Sequence, residues 1–226
     1  MTASISTLVF SLLSLIIASG IFGSYLGSGR KSKKLKRLYI FFALFSVYQL
    51  CFSYFFFFDN LYFAAWAYNL AVVIVFAMIA LIFGIIMDIF DFTLSGRRLT
   101  YALIIFVGAS VSAVQIYDLH FPIVEEDGIV NWNANVIAAR ATSLSVFFVS
   151  LTWVYGILKN FSAFEYFSQK AKAIFLSSGG LFLGLSGLTT YHSYEREIAI
   201  ISHIFAFVGG FLILATLLIY DKNKEK

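Results

Sequence analysis

The stretch Gly27 to Arg37, GSGRKSKKLKR, constrains this chain more than any other, because six of its residues are basic and it separates two long apolar runs. Arg30, Lys31, Lys33, Lys34, Lys36 and Arg37 supply the charge. A Lys or Arg costs roughly 2.5–3.5 kcal/mol at the centre of a bilayer, so such a block sits at the membrane surface with an apolar run entering on either side. Basic residues beside span ends resist translocation. The block is therefore expected in the cytoplasm, with the first run crossing from outside to inside.

Composition agrees with a polytopic membrane protein. Of 226 residues, 61% are hydrophobic and 12% charged, with a mean hydropathy of +0.89. That is about half the charge of a soluble domain and more apolar surface than one aqueous core buries. The net charge of +4 and pI near 9.1 do not point to nucleic acid, because the basic residues cluster beside apolar runs, where they orient helices and meet anionic headgroups. The single cysteine, Cys51, lies inside an apolar run and forms no internal disulfide.

The fold class expected is all-α, a bundle of seven transmembrane helices with the N-terminus outside and the C-terminus cytoplasmic. The spans read as about 4–26, 38–58, 61–87, 99–117, 136–158, 171–191 and 198–220, in one domain over 1–226. The first is read as a span rather than a cleaved signal, since its basic block follows the apolar run instead of preceding it. Fourteen of the sixteen basic residues then lie inside, and only Arg140 and Arg196 outside. The second and third spans meet at the polar break Asp59 and Asn60. Asp88 and Asp91, one turn apart, close the third span beside Arg97 and Arg98 as a solvated ion-pair cluster. In the segment 118–135, FPIVEEDGIVNW reads as a small hairpin, with Ile123 and Val124 facing Ile129 and Val130 across an Asp-Gly turn. The loop NFSAFEYFSQK carries Phe161, Phe164 and Phe167 at helical spacing and reads as an interfacial turn.

Two constellations stand out. Gly180, Gly184 and Gly187, with Gly179, concentrate in the sixth span, and Gly209 and Gly210 lie opposite in the seventh; small residues at this spacing form a helix-packing seam. The other is polar. Arg140, His192, Glu195, Glu197 and His203 collect near the outer ends of the last three spans, either as an ion-paired rim or as a ligand pocket. Their spacing matches no zinc or copper pattern, so no metal is expected. The last span holds no lysine, which excludes a Schiff-base retinal, and no cofactor is expected.

Two family resemblances follow from these residues. GLSG at 184–187 with SHIFAFVGGF from Ser202 resembles a rhomboid intramembrane protease, which implies Ser186 as nucleophile and His203 as base. That family separates the two by an intervening span and carries an early His-x-x-x-Asn, neither of which occurs here. Over most of its length the chain is similar to the seven-span membrane region at the N-terminus of bacterial histidine kinases, through KKLKRLYIFFALF, Trp66 and QKAKAIFLSSGGLFLG. This resemblance implies a prokaryotic plasma membrane and a sensing role. With the chain ending at Lys226, no catalytic module is expected behind the last span.

The function expected is a non-enzymatic seven-span sensor or accessory subunit working through helix movement or assembly. A membrane-protein partner or a second copy is implied, with anionic headgroups at Arg30 to Arg37. A small-solute transporter and the rhomboid-like protease are the alternatives. The orientation is directly testable in a background lacking Cys51: Glu126→Cys reacts with an impermeant maleimide in intact cells and Lys33→Cys does not. Labelling at position 33 would sink the assignment.

Overall fold

The computed structural model describes residues 9, 12, 13, 15–17, 19, 20, 23, 26, 33–53, 60–124, 130–190 and 196–219. Six helices follow in order: α1 (Lys33–Phe52), α2 (Leu61–Ile89), α3 (Leu94–Tyr117), α4 (Val136–Lys159), α5 (Phe167–Thr190) and α6 (Arg196–Leu218). Between α3 and α4 lie two short strands, β1 (Ile123–Val124) and β2 (Val130–Asn131). The described positions between Val9 and Leu26 are helical as well. Most of the expected span 4–26, and the ends of spans two, six and seven at 54–58, 191 and 220, fall outside the described residues.

Four helical segments, Leu61–Ile89, Leu94–Tyr117, Val136–Ala163 and Phe167–Thr190, are long and apolar enough to cross a membrane. At about 1.5 Å per residue, even the 24-residue ones exceed the roughly 30 Å of hydrocarbon. A shorter apolar stretch, Ile200–Thr216, lies within α6. The chain is a multi-pass membrane protein, and among the described residues its regular structure is helical apart from the hairpin.

Short polar residues start three of the helices. Asn60 accepts hydrogen bonds from the Tyr62 and Phe63 N–H groups at 3.0 and 3.3 Å, Thr93 from Gly96 at 3.2 Å, and Asn135 from Ile137 and Ala138 at 3.0 and 3.2 Å. Each satisfies donors that the first helical turn leaves free. Because Thr93 caps α3, the helix begins at Leu94, and Arg97 and Arg98 belong to it rather than to a loop before a span starting at 99.

Asp88 and Asp91 do not share a helix face. The helix ends at Ile89; Asp91 takes a left-handed φ of 51°, and the Phe92 N–H reaches back to the Met87 carbonyl at 3.1 Å. This is a Schellman ending with aspartate where glycine is usual. The helical spacing read for Phe161, Phe164 and Phe167 also stops early. Phe161–Ala163 is one turn of 3-10 helix, Phe164 is extended, and Phe167 opens α5. The hairpin does form, with Ile123 opposite Asn131 and Val124 opposite Val130, while its turn and Ile129 lie outside the described residues.

α2 is the central element, packing against α1, α3 and α4. Its Ala71, Val72, Val75, Met78 and Ile79 join Tyr48, Ile104, Val111, Ala138 and Val149 in the main core. A second core places Ile17 of the N-terminal segment against Phe42 of α1 and Ile213 of α6.

The glycines serve two different faces of α5. Gly179 meets α6: a Cβ there would lie 2.6 Å from Ile213 and 2.9 Å from the Gly209 carbonyl. Gly180, Gly184 and Gly187 face α4 instead, against Trp153, Ser150 and Val146 respectively. The expected single seam, with Gly179, Gly180, Gly184 and Gly187 opposite Gly209 and Gly210, is thus split. Gly210 turns toward Leu13 and Ile17. A helix presents adjacent residues about 100° apart, so Gly179 and Gly180 cannot serve one neighbour. The bare Gly180 also lets the Trp153 indole N–H reach the Leu176 carbonyl at 3.1 Å, satisfying a donor for which lipid offers no acceptor.

These spacings give opposite expectations for two glycines. Gly184→Ala drives a methyl into Ser150 and should cost about 1–3 kcal/mol, with rescue by Ser150→Gly. Gly210→Ala meets only Ile17 and Leu13, at 3.6 and 3.7 Å, and should be neutral or stabilising by up to about 1 kcal/mol. Thermal unfolding in detergent distinguishes them; equal destabilisation would mean that the tight face of α5 is misassigned.

Candidate functional site

Asp88 occupies the last turn of α2, where the carbonyl end of the helix dipole disfavours an anion. Two guanidinium groups from neighbouring helices compensate. Arg37 of α1 donates to Asp88 Oδ2 at 2.5 Å, and Arg97 of α3 donates to Asp88 Oδ1. The arginines also donate to backbone oxygens: Arg37 to the Gly84 carbonyl at 2.6 Å, and Arg97 to those of Phe92 and Met87 at 3.0 and 3.3 Å. Gly84 makes the approach possible, because a Cβ there would lie 2.7 Å from the Tyr101 hydroxyl and 3.1 Å from the Arg37 guanidinium. One carboxylate thereby ties three helix ends together. Arg98 and Asp91 remain exposed.

The opposite end of α2 carries neutral amides inside the bundle. Asn69 and Gln115 are 6% and 3% exposed, inside the bundle. Aromatic rings run along α1 toward this level, with Phe45, Tyr48 and Phe52 in succession at 5.8 and 4.8 Å. Phe52 then meets Tyr68 at 5.9 Å and Trp132 at 5.1 Å, and Tyr68 stacks on Trp132 at 5.6 Å. Trp132 directly follows β2, so the hairpin brings it in. Asn135 joins these parts: besides capping α4, its side chain donates to Asp118 at 2.7 Å and its backbone N–H to Gln115 Oε1 at 3.4 Å. His120 donates to the same Asp118 oxygen at 3.0 Å. Hydrogen bonding from Asn135, then from His120, holds the Asp118 carboxyl below the usual carboxylate range.

The residues singled out from sequence fall elsewhere. Arg140 is exposed on α4. His192 and Glu195, and the side chain of Glu197, lie outside the described residues, so the expected partners of Arg140 do too. Ser186 is buried on α5 and meets Ser202 of α6, with 3.3 Å between hydroxyls and 3.0 Å from Ser202 Oγ to the Ser186 carbonyl. Thr190 completes that cluster at 2.5 Å from Ser202. His203 is half-buried and follows Ser202 by one residue, about 100° around the helix from the hydroxyl that Ser186 engages.

Sequence reading passed over Asn69 and Gln115, although each is an amide embedded in apolar sequence. It also assigned Arg37 to the lipid-facing block, because helix contact across 51 positions leaves no local signal. No protein family, curated protein or solved structure matches the chain. The class established is that of a multi-pass α-helical membrane protein, with a charged tie at one end of α2 and a polar, aromatic layer at the other.

Asp88→Ala leaves two partly buried guanidinium groups without a counter-ion. The expected loss is about 1–3 kcal/mol, toward the lower value because 21% of the Asp88 side chain is exposed. Combining Asp88→Ala with Arg97→Ala should cost less than the sum of the single changes, as unfolding in detergent would show. Additivity would mean that the two charges act independently.

Proposed function

We propose that this chain is a non-enzymatic seven-span membrane sensor or accessory subunit, working through helix movement or through assembly with another membrane protein. In this reading the N-terminus is outside and the Asp88 end faces the cytoplasm of a prokaryotic cell. The reading is supported by the tie at Asp88. Held by one carboxylate, α1, α2 and α3 have a contact that a small helix shift breaks or remakes in discrete fashion, which is what a switching element requires. Packing of α2 against three helices lets a shift at either of its ends reach the other.

The input pocket of this reading is polar and external. Arg140, His192, Glu195, Glu197 and His203 form it, with Arg140 paired to Glu195 or Glu197 across α4 and α6. Lys33 and Lys36, exposed at the start of α1, face anionic headgroups together with the rest of the 30–37 block. Gly180, Gly184 and Gly187 let α5 approach α4 closely, and Gly210 faces Leu13 and Ile17, away from the tie.

The test uses spin labels at Lys36 and Arg98, both exposed on the helices that Asp88 joins. In lipid nanodiscs the native chain should give a narrow distance distribution, and Asp88→Asn should broaden it or add a second population. Extraction in mild detergent should retain a second membrane protein in fixed ratio, or a second copy. An unchanged distribution, together with a solitary monomer, would overturn the proposal, and solute counterflow in liposomes would replace it with transport.

A further inference from the structure

A side-chain amide in a packed apolar interior keeps its need for hydrogen-bond partners, and each N–H group left without one costs about 1–3 kcal/mol. Asn69 Nδ2 and Gln115 Nε2 are both fully enclosed and have no protein partner among the described residues. They are brought to the same level. The antiparallel register of α2 and α3 sets Gly108 against Phe76 and, farther along, Gly84 against Tyr101. Continued in the other direction, that register carries Asn69 and Gln115 to one depth at the hairpin end.

The Gln115 amide cannot be turned around to remove the difficulty. Its Oε1 accepts the Asn135 backbone N–H, at 3.4 Å, and reversal would point an NH2 group at another donor. The free donor of Gln115 therefore stays inside the bundle. Two inward donors from facing helices call for an acceptor between them, and the protein provides none there among the described residues.

We propose that Asn69 and Gln115 form a binding site for the oxygen of a small hydrogen-bond acceptor: a water molecule, or the carbonyl or carboxylate oxygen of a solute. Gln115 Nε2, held inward by the contact of Oε1 with Asn135, is a donor, so the site selects a hydrogen-bond acceptor. The rings of Tyr68, Trp132 and Phe52 pack together at the same end of the bundle. The Asn135 N–H links the site to the start of α4 and, through Asp118, to the hairpin segment. The site rests on packing and hydrogen-bond accounting alone, and stands whether or not the chain is a sensor.

The native chain in lipid nanodiscs, solved at a resolution that shows ordered water, provides the test. A density peak is expected about 2.7–3.2 Å from both Asn69 Nδ2 and Gln115 Nε2. A single-oxygen peak assigns the acceptor to water. A larger one assigns it to a co-purified solute, whose mass native mass spectrometry reads. No peak, or both nitrogen atoms engaged by protein oxygens, overturns the site. The Asn69→Leu/Gln115→Leu double variant removes both donors, together with the Gln115 oxygen that accepts the Asn135 N–H, and the peak should vanish. Persistence of the peak in that variant would show that other groups hold it, and would overturn the assignment as well.

Discussion

The arrangement of the helices depends on one buried-edge interaction, the Asp88 carboxylate shared by Arg37 and Arg97. In a chain whose helices are apolar on nearly every face, hydrophobic contact does not choose neighbours, because lipid satisfies an apolar surface as well as another helix does. Directional polar contacts do choose. Asp88 needs a cation because the end of the α2 dipole repels it, and the arginines need acceptors that the α2 carbonyls supply. One cluster thus fixes α1 and α3 against α2, at a position where water still reaches part of the charge and keeps desolvation modest.

Away from that cluster, close approach does the work that charge does there. Gly184 and Gly187 present no side chain to α4, Gly179 presents none to α6, and the backbones come near enough for dispersion contacts to accumulate. Trp153 shows how packing and polarity are combined. Its ring covers Gly180 while its N–H finds the Leu176 carbonyl, so one side chain fills space and meets its own hydrogen-bonding need. The serine and threonine hydroxyls follow the same rule: Thr142 and Ser177 return their protons to carbonyls one turn earlier, at 2.8 and 2.7 Å. Against this thorough pairing, the two free amide donors at Asn69 and Gln115 stand apart.

The two ends of α2 consequently differ in character. At one end full charges are paired across helices; at the other, neutral amides and aromatic rings lie beneath a hairpin carrying Trp132. A single long helix joins them through a core of Ala, Val, Ile and Met side chains that packs without polar interruption between Ala71 and Ile79.

Much of the architecture is local and therefore open to reading from sequence. The apolar runs, the basic block at 30–37, the break at Asn60 and the paired strands Ile123–Val124 and Val130–Asn131 each arise from neighbours along the chain. The density of glycine in α5 was legible too. Which neighbour each glycine faces was not, since Gly179 and Gly180 differ by a rotation that acquires meaning only when α4 and α6 are in place. The shared partner of Arg37 and Arg97, and the meeting level of Asn69 and Gln115, were likewise hidden. They depend on the register between helices joined by turns, and a slide of one residue would move every contact by about 1.5 Å. Bilayer solvation acts on each segment separately, so the order of residues is enough to make this protein a membrane-embedded set of helices; which polar groups meet depends on the mutual position of segments distant along the chain, and is set only in the packed bundle.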